Sequence, residues 1–540
     1  MDRRQFLGTL LASPWLAGCW KNRPKVQLQG QILGANHKLG HRLRQAQQHP
    51  FQGPRQPVGV LILGGGVAAL CAAWRLSHAG LDDYRVLELE STLGGNSRAQ
   101  SYAPSQAPWG AHYLPVPTRE SSVVRRILSE MGLMRGLRDD GTPVYAEQDL
   151  CHSPEERVYA LGAWEPGLIP SAGCSDLDLK HIREFEEHIE TWQKWRDPKG
   201  RKAFALPLAL SSPDPGVRKL DNLSMGDYLK KQGWTSERLR WYVDYGCRDD
   251  YGTAIDQTSA WAGLHYFASR DGGGFGVKDA QFVWPEGNHR LVRHLAQGLG
   301  PRQETGALVL GLRAQSDGGH QVDIWSEPQQ KMVGYSAKKV IFALPTFQRR
   351  FLLDEPARPG FSYSPWTVSN LVLSKIPSSA YRPDVGLCWD NVIYQSPSLG
   401  YVVATHQTQS YQGGPSVFTH YRPWTEMEPA QARQQLLDKD WSQARDEVLA
   451  EMLLVHPDLL EVCTQIDVMQ LGHAMIRPTV GFLWGAERQQ ACQSQGGVYF
   501  AHSDLSGISI FEEASYQGVR AAQELLRDQG RLKEDFLAVD

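Results

Sequence analysis

Long unbroken apolar runs are missing from this 540-residue sequence, and so is an excess of charge of either sign. The first absence argues against a polytopic membrane protein, because each spanning helix needs roughly 20 consecutive apolar residues. The second, a formal net charge of −3 without any long Lys/Arg run, removes the electrostatic footprint of a nucleic-acid binder. Cysteine is sparse and scattered, at Cys19, Cys71, Cys151, Cys174, Cys247, Cys388, Cys463 and Cys492. No Cys-x-x-Cys pair and no Cys/His cluster has metal-ligand spacing, so neither zinc nor an iron-sulfur cluster is expected. Walker-type and Gly-x-Ser-x-Gly motifs, internal repeats and low-complexity tracts are absent as well. What remains is ordinary globular composition, 41% hydrophobic and 21% charged, in a chain long enough for at least two core-bearing units.

The first residues read as an address. Arg3-Arg4-Gln5-Phe6-Leu7 places paired arginines ahead of a short apolar run that ends in Leu16-Ala17-Gly18-Cys19. This resembles a twin-arginine signal fused to a lipobox, with Cys19 as the lipidated N-terminus of the mature protein. It implies the twin-arginine export machinery as a partner and a membrane contact through a lipid anchor. The location it implies is the periplasmic side of a bacterial membrane. The stretch from there to about Pro57 mixes Lys, Arg, Gln, Gly and Pro, and reads as a tether.

Val58 to Leu63 is an apolar run that ends in Gly64-Gly65-Gly66-Val67-Ala68-Ala69, and Tyr84 to Leu89 reads as the next strand. Strand, glycine turn, helix and strand in that order form a dinucleotide fingerprint. Gly64 permits the tight turn, Gly66 lets a pyrophosphate approach the backbone, and a small third residue lets helix and strand pack closely. Glu88 lies 24 residues after Gly64 at the predicted strand end, where its carboxylate can accept from ribose hydroxyls and disfavour a 2′-phosphate.

Leu93-Gly94-Gly95 places a Gly-Gly pair six residues after Glu88, and the tail carries Val498 to Asp504, then Phe511-Glu512-Glu513-Ala514 and Gly518. With these segments the sequence resembles the flavin-containing amine oxidase superfamily, which includes monoamine and polyamine oxidases, phytoene desaturases and protoporphyrinogen oxidase. The resemblance implies FAD as cofactor. It implies that Asp504 is delivered toward the FAD phosphate and ribityl region, and that the helix opening at Phe511, Glu512 and Ala514 aims its N-terminus at the flavin. Trp284 to Leu291 and Ala343-Leu344-Pro345 resemble further segments of the family, and Val309 stands where a valine backbone meets adenine. No counterpart is found for the cysteine that bonds flavin covalently in one subgroup, so FAD is expected to be non-covalent. Two aromatic rings frame the substrate nitrogen in monoamine oxidases; one of those places is Ile510 here, which predicts that simple aromatic monoamines are poor substrates.

The expected fold is α/β, a Rossmann-like FAD-binding domain of the two-dinucleotide-binding type interleaved with an α+β substrate domain. Its expected parts are a signal (1–19), tether (20–56), FAD-binding segments (57–115, 281–347, 491–540) and substrate segments (116–280, 348–490). Apolar spacing from Leu179 to Trp192 predicts an amphipathic helix, Ala430 to Val455 a second helical stretch, and Gly306 to Pro345 the strands of a small neighbouring sheet. The implied activity is hydride removal from a substrate carbon, first of all one beside an amine nitrogen, with dioxygen or a membrane electron carrier as acceptor. Desaturation or isomerisation of a polyene or ring is the second reading, and a non-catalytic flavin-binding partner protein the third. Catalytic residues are not legible; His473, Arg477 and His265 are the candidates, within clusters that also include Arg248-Asp249-Asp250-Tyr251.

Overall fold

Val58, Val60, Leu61, Ile62 and Leu63 put apolar side chains on both faces of one strand, Gln56–Leu63, and each face has its own cover. Val60 and Ile62 pack under helices, whereas Leu61 and Leu63 join a core on the opposite side. Burial on both faces is the mark of a parallel strand inside an α/β sheet. Tyr84–Glu88 and Lys331–Phe342 flank the strand in parallel, with Gln303–Thr305 outside the first and Val498–Phe500 outside the second. The computed structural model describes residues 28–48, 50–139, 141–270, 280–379, 385–408 and 413–539, so the signal and Cys19 lie outside the described residues.

The strands expected as a small neighbouring sheet belong to this one. Lys331–Phe342 is 12 residues long and serves two partners along one edge. Its first half pairs antiparallel with His320–Ser326, which continues to Ala307–Ala314, and Val340 to Phe342 pair parallel with Val498–Phe500. Above the sheet, the helix Val67–His78 packs against the C-terminal helix Phe511–Asp528. Gly518 permits that approach, since a Cβ there would lie 2.1 Å from the Ala68 carbonyl oxygen.

The second half of the molecule is an eight-stranded sheet ordered Ile32–Gly34, Cys463–Ile476, Tyr363–Leu373, Ser416–Pro423, Tyr401–Val403, Asp390–Ile393, Glu156–Ala160 and Ala163–Pro166. Alternation along the strands splits its side chains. Leu371, Leu373, Phe418, Ile466 and Val468 pack under the helix Trp441–Val455, while Trp366, Val368, Tyr421, Met469 and Leu471 face the other way with Trp109 and Tyr245. A helical layer adds Asp176–Lys194, Glu237–Tyr251 and Ala260–Ala268. The first contains the helix expected at Leu179–Trp192, extended to a Ser175/Asp178 capping box and buried along His181, Phe185 and Ile189. The stretch expected from Ala430 to Val455 is two helices, Pro429–Asp438 and Trp441–Val455, because Asp440 caps the second with Gln443.

From residue 28 onward the expected tether is built into the fold as an edge strand and a short helix. Gln29 bonds to the Cys463–Ile476 strand, Ile32–Gly34 pairs with it in parallel, and Leu39 and Leu43 are buried. Its pattern was hard to see because a three-residue edge strand and a four-residue helix give no sustained periodicity. Among the described residues no helix is long and apolar enough to cross a membrane.

Candidate active site

Where the first strand ends, Gly64 takes φ +101° and carries no Cβ, which would lie 2.8 Å from the Ala343 carbonyl. Gly65 donates its N–H to Glu88 Oε2 at 2.7 Å, and Gly66 opens the helix Val67–His78 without any side-chain cap. Nothing lies nearer than 4.0 Å to a Cβ built on Gly66, so the helix N-terminus faces open space. Gly94 and Gly95, at φ +119° and +56°, close the far side of the turn, with Gly94 N–H donating to Gly65 O at 2.8 Å. Exposed N–H groups and the positive end of a helix dipole at such a turn suit a phosphate.

Glu88 is 9% exposed. Its Oε1 accepts from Glu90 N–H at 2.8 Å while Oε2 accepts from Gly65. Burial pushes its carboxyl up, against the pull of these two N–H donors. Each oxygen keeps a further lone pair for a hydroxyl. Toward the other edge of the sheet, at the same carboxyl end of the strands, Asp504 is 1% exposed; its Oδ2 accepts from Thr346 N–H at 2.8 Å and Tyr363 hydroxyl at 2.7 Å, and its Oδ1 pairs with His502 at 3.0 Å. Burial raises an acid, but His502 and the donors outweigh it and hold Asp504 below the usual range.

Both groups line one cavity of about 1000 Å³ that runs between the two sheets. Its inner end is acidic. Asp249 and Asp250, at the end of Glu237–Tyr251, meet Tyr113, Arg270 and Glu512 there. Arg270 binds both oxygens of Asp250 at 2.8 and 2.6 Å and lies 4.9 Å from the Tyr266 ring. The Tyr113 hydroxyl donates to Asp249 at 3.4 Å and to Asp250 at 3.3 Å, and Tyr266 to Asp249 at 3.5 Å. Burial and then the neighbouring Asp250 push Asp249 up to about 7. Burial does the same to Glu512, also to about 7. His112 stacks against Tyr421, ring centres 4.5 Å apart, and burial lowers it to about 4. Its Nδ1 lies 3.3 Å from the Gly110 carbonyl, which can only accept, so Nε2 carries the free lone pair.

A model of the NAD(P)-binding Rossmann-like domain matches residues 62–131. The human peroxisomal N(1)-acetyl-spermine/spermidine oxidase is 37% identical over 83 residues, 15% of either chain. Coproporphyrinogen III oxidase of Mycobacterium tuberculosis is 29% identical over 155 residues, 26% of this chain and 31% of that one. The chain thus matches less than a third of the length of these curated relatives. Over 88% of this chain and 100% of the other, the structure superposes on wild-type putrescine oxidase bound to putrescine, with a TM-score of 0.63 at 15% identity. A fatty acid isomerase from P. acnes gives 0.55 at 14%, over 87% of this chain and 98% of that one.

The chain shares the fold of putrescine oxidase and of the fatty acid isomerase, with an NAD(P)-binding Rossmann-like segment near its start.

Within this fold, Gly64, Gly66, Val67, Ala68, Glu88, Gly94, Gly95, Asp504, Phe511, Glu512 and Ala514 all line the cavity. Val309 does not. Its side chain belongs to the core beneath the sheet, opposite Ile324, and the neighbouring Leu308 and Leu310 point toward Leu39 and Leu89 instead. Ile510 caps the last helix and lines the cavity, whose aromatic lining includes Tyr113, Phe347, Tyr363, Trp366, Tyr421 and Phe511. Of the three catalytic candidates only His473 reaches the cavity, stacked 4.5 Å from the Phe347 ring and lowered to about 4 by burial and then by Arg433. Arg477 is a structural residue, bonded to Ser362 and Gln257. His265 is buried on Trp261 and held between Tyr251 and the Ala205 carbonyl. Sequence reasoning noted Asp249 and Asp250 only as a cluster and missed Tyr113 and Arg270. The one available signal was two adjacent acids on a helix whose turn is otherwise buried.

Proposed function

We propose that the chain is an FAD-dependent oxidoreductase that removes hydride from a carbon bonded to an amine nitrogen. One observation carries this reading: a dinucleotide turn and a buried, net acidic chamber share a single cavity. Arg270 binds Asp250 and also faces Asp249 and Glu512, so among the described residues three carboxyls share one guanidinium. A protonated amine is the ligand whose charge fits that deficit.

The residues present fit FAD. The open space over Gly66, the glycine-lined contact between the two loops and the buried Glu88 suit an adenosine diphosphate moiety. Phe511–Asp528 opens onto the cavity without a side-chain cap, so its N–H groups are available to negative charge on a flavin ring. No cysteine lines the cavity among the described residues, which supports non-covalent binding. Bound FAD supplies the hydride acceptor, and dioxygen or a membrane electron carrier then takes the electrons. The chain's own residues bind and prepare the substrate. An ammonium must lose its proton before its carbon can release hydride, because the nitrogen lone pair stabilises the cation that forms. Asp249, pushed up to about 7, accepts that proton near neutral pH. Tyr113 and Tyr266 hold Asp249 in place, and His112, neutral at such pH, offers Nε2 to a remaining N–H. Trp366, Val368, Leu399, Leu471 and Ile510 exclude water around the carbon chain.

The test is a panel of aliphatic amines, polyamines, aromatic monoamines and polyenes, read anaerobically by flavin bleaching and aerobically by peroxide. Bleaching by aliphatic amines is expected. Bleaching by polyenes alone would replace this reading with desaturation or isomerisation, and bound flavin that no donor bleaches would make the chain a flavin-binding partner protein.

We further propose that the chain is exported folded by the twin-arginine route and anchored through Cys19 on the periplasmic side, because paired arginines, a short apolar run and a lipobox follow one another. Replacing Arg3 and Arg4 with Lys should strand it in the cytoplasm, and Cys19→Ser should release it from membranes. Fractionation of wild-type protein as a cytoplasmic species that retains residues 1–19 would remove the proposal.

A further inference from the structure

Residues 29 to 43 cross from one sheet to the other over the dinucleotide end of the cavity. On one side Ile32, Leu33 and Gly34 pair with Val468, Met469 and Gln470, adding an edge strand to the substrate sheet. On the other side Leu39 is buried among Leu89, Leu308 and Leu310, beside the strand end that carries Glu88. Between these anchors the Asn36 N–H donates to Glu90 Oε1 at 2.7 Å, and Glu90 Oε2 pairs with Arg98 at 3.2 Å. Glu90 is in turn the residue whose N–H holds Glu88 Oε1. Ile32 to Lys38 and His41 all line the cavity.

The crossing explains two observations. Leu308 and Leu310, on the strand face opposite the Val309 side chain, are buried against Leu39 of the crossing segment and stay outside the cavity. The segment Ile32–His41 also contains His37, Lys38 and His41 but no acidic residue, which suits a neighbour bearing the two negative charges of a pyrophosphate.

We propose that Ile32–His41 is a strap that forms a third wall of the dinucleotide site, closing over the adenosine diphosphate half of the cofactor and holding it. This rests on the FAD reading above. Because the strap is anchored on both sheets at the dinucleotide end of the cavity, lifting it is the step that lets the dinucleotide leave, and docking it is the step that seals a loaded site.

The experiment uses the full chain loaded with FAD and follows cofactor release by recovery of flavin fluorescence after dilution. Leu39→Asp removes the apolar anchor, Lys38→Glu reverses the cavity-facing charge, and Asn36→Pro deletes the N–H that reaches Glu90 while accepting the native φ of −63°. Each is expected to speed release at least tenfold, whereas Leu179→Asp, on an exposed helix position, should leave it unchanged. Hydrogen exchange in wild-type protein should show the amides of residues 32–39 slowing when FAD is added to the apo form. Release rates within twofold of wild type in Lys38→Glu and Asn36→Pro, or no change in strap protection on FAD addition, would overturn the strap. A folded wild type that takes up no FAD would instead overturn the cofactor reading on which it rests.

Discussion

The two ends of the cavity are built in different ways. The dinucleotide end is made of backbone: Gly64, Gly65, Gly66, Gly94 and Gly95 supply bare main chain, and Glu88 is fixed by two N–H groups. The inner end is made of side chains that arrive from separate parts of the chain, Tyr113 from an edge strand, Asp249 and Asp250 from a helix terminus, Arg270 just beyond the next helix, and Glu512 from the last. A backbone site is written in short contiguous runs, since each turn must carry its own glycines. A side-chain site needs only that folding bring its members together, and its chemistry can be altered one residue at a time without disturbing the turn.

Breaking the backbone end should have the largest effect. In Gly65→Val the new Cβ would lie 2.8 Å from Glu88 Oε2 and 2.6 Å from Leu93, so the variant should fold with its second sheet intact yet carry no FAD, as read by absorbance of the purified protein. Next comes the carboxylate: Glu88→Ala should weaken FAD binding about ten- to a hundredfold, the equivalent of ~1.5–3 kcal/mol for a lost charge-assisted bond, and more than Glu90→Ala does in the same titration. Equal losses in the two would shift the cofactor's ribose toward Glu90.

Sharpening the comparison takes a variant of the inner end that spares the turn. Asp249→Asn should leave FAD affinity unchanged while kcat/KM for an aliphatic amine falls about tenfold, since a partly screened carboxylate-ammonium contact is worth on the order of 1–2 kcal/mol. In the wild type kcat/KM should rise with pH through about 7 as Asp249 ionises, and Asp249→Asn should lose that limb. A fall in FAD affinity matching the fall in turnover would mean that the two ends are one unit.

The smallest effect concerns stability. Burial pushes Asp249, Glu512 and Glu513 up to about 7, above their values in an unfolded chain. An acid whose folded pKa is raised favours the fold while protonated, so this contribution is full below about 4 and is lost as pH rises through about 7. The apo protein should therefore melt a few degrees higher at pH 5.5 than at pH 8, by about the shift that ~1 kcal/mol gives in a large domain, and Glu512→Gln should lessen the difference. An unchanged slope in that variant would place the titration elsewhere.

The same contrast decides how much was legible. Gly64 to Ala69, Glu88 and Gly94-Gly95 could be read from the sequence because turn geometry restricts residue type at fixed spacing, and the α/β fold followed from them. Tyr113, Asp249 and Arg270 could not, because nothing local distinguishes an acid facing a cavity from one facing water. His265 and Arg477 misled for the complementary reason: a polar residue amid apolar ones signals burial, and here burial means stacking on Trp261 and bonding to Ser362. The segment before Gln56 was misread because its order comes from pairing with Val468 to Gln470, far along the chain.

The pairing of the nucleotide sheet also sets a timetable. Gln56–Leu63 is synthesised early, but the strand beside it ends at Phe342 and the one beyond that at Phe500, with the helix packed on Ala68 later still. At 5–20 residues per second a ribosome needs ~20–90 s to travel from the first of these strands to the last. For most of that interval the strand before the glycine turn has only Tyr84–Glu88 beside it, and throughout it the turn lacks its covering helix. A fully walled glycine turn therefore exists only in the finished chain, whose last helix closes it.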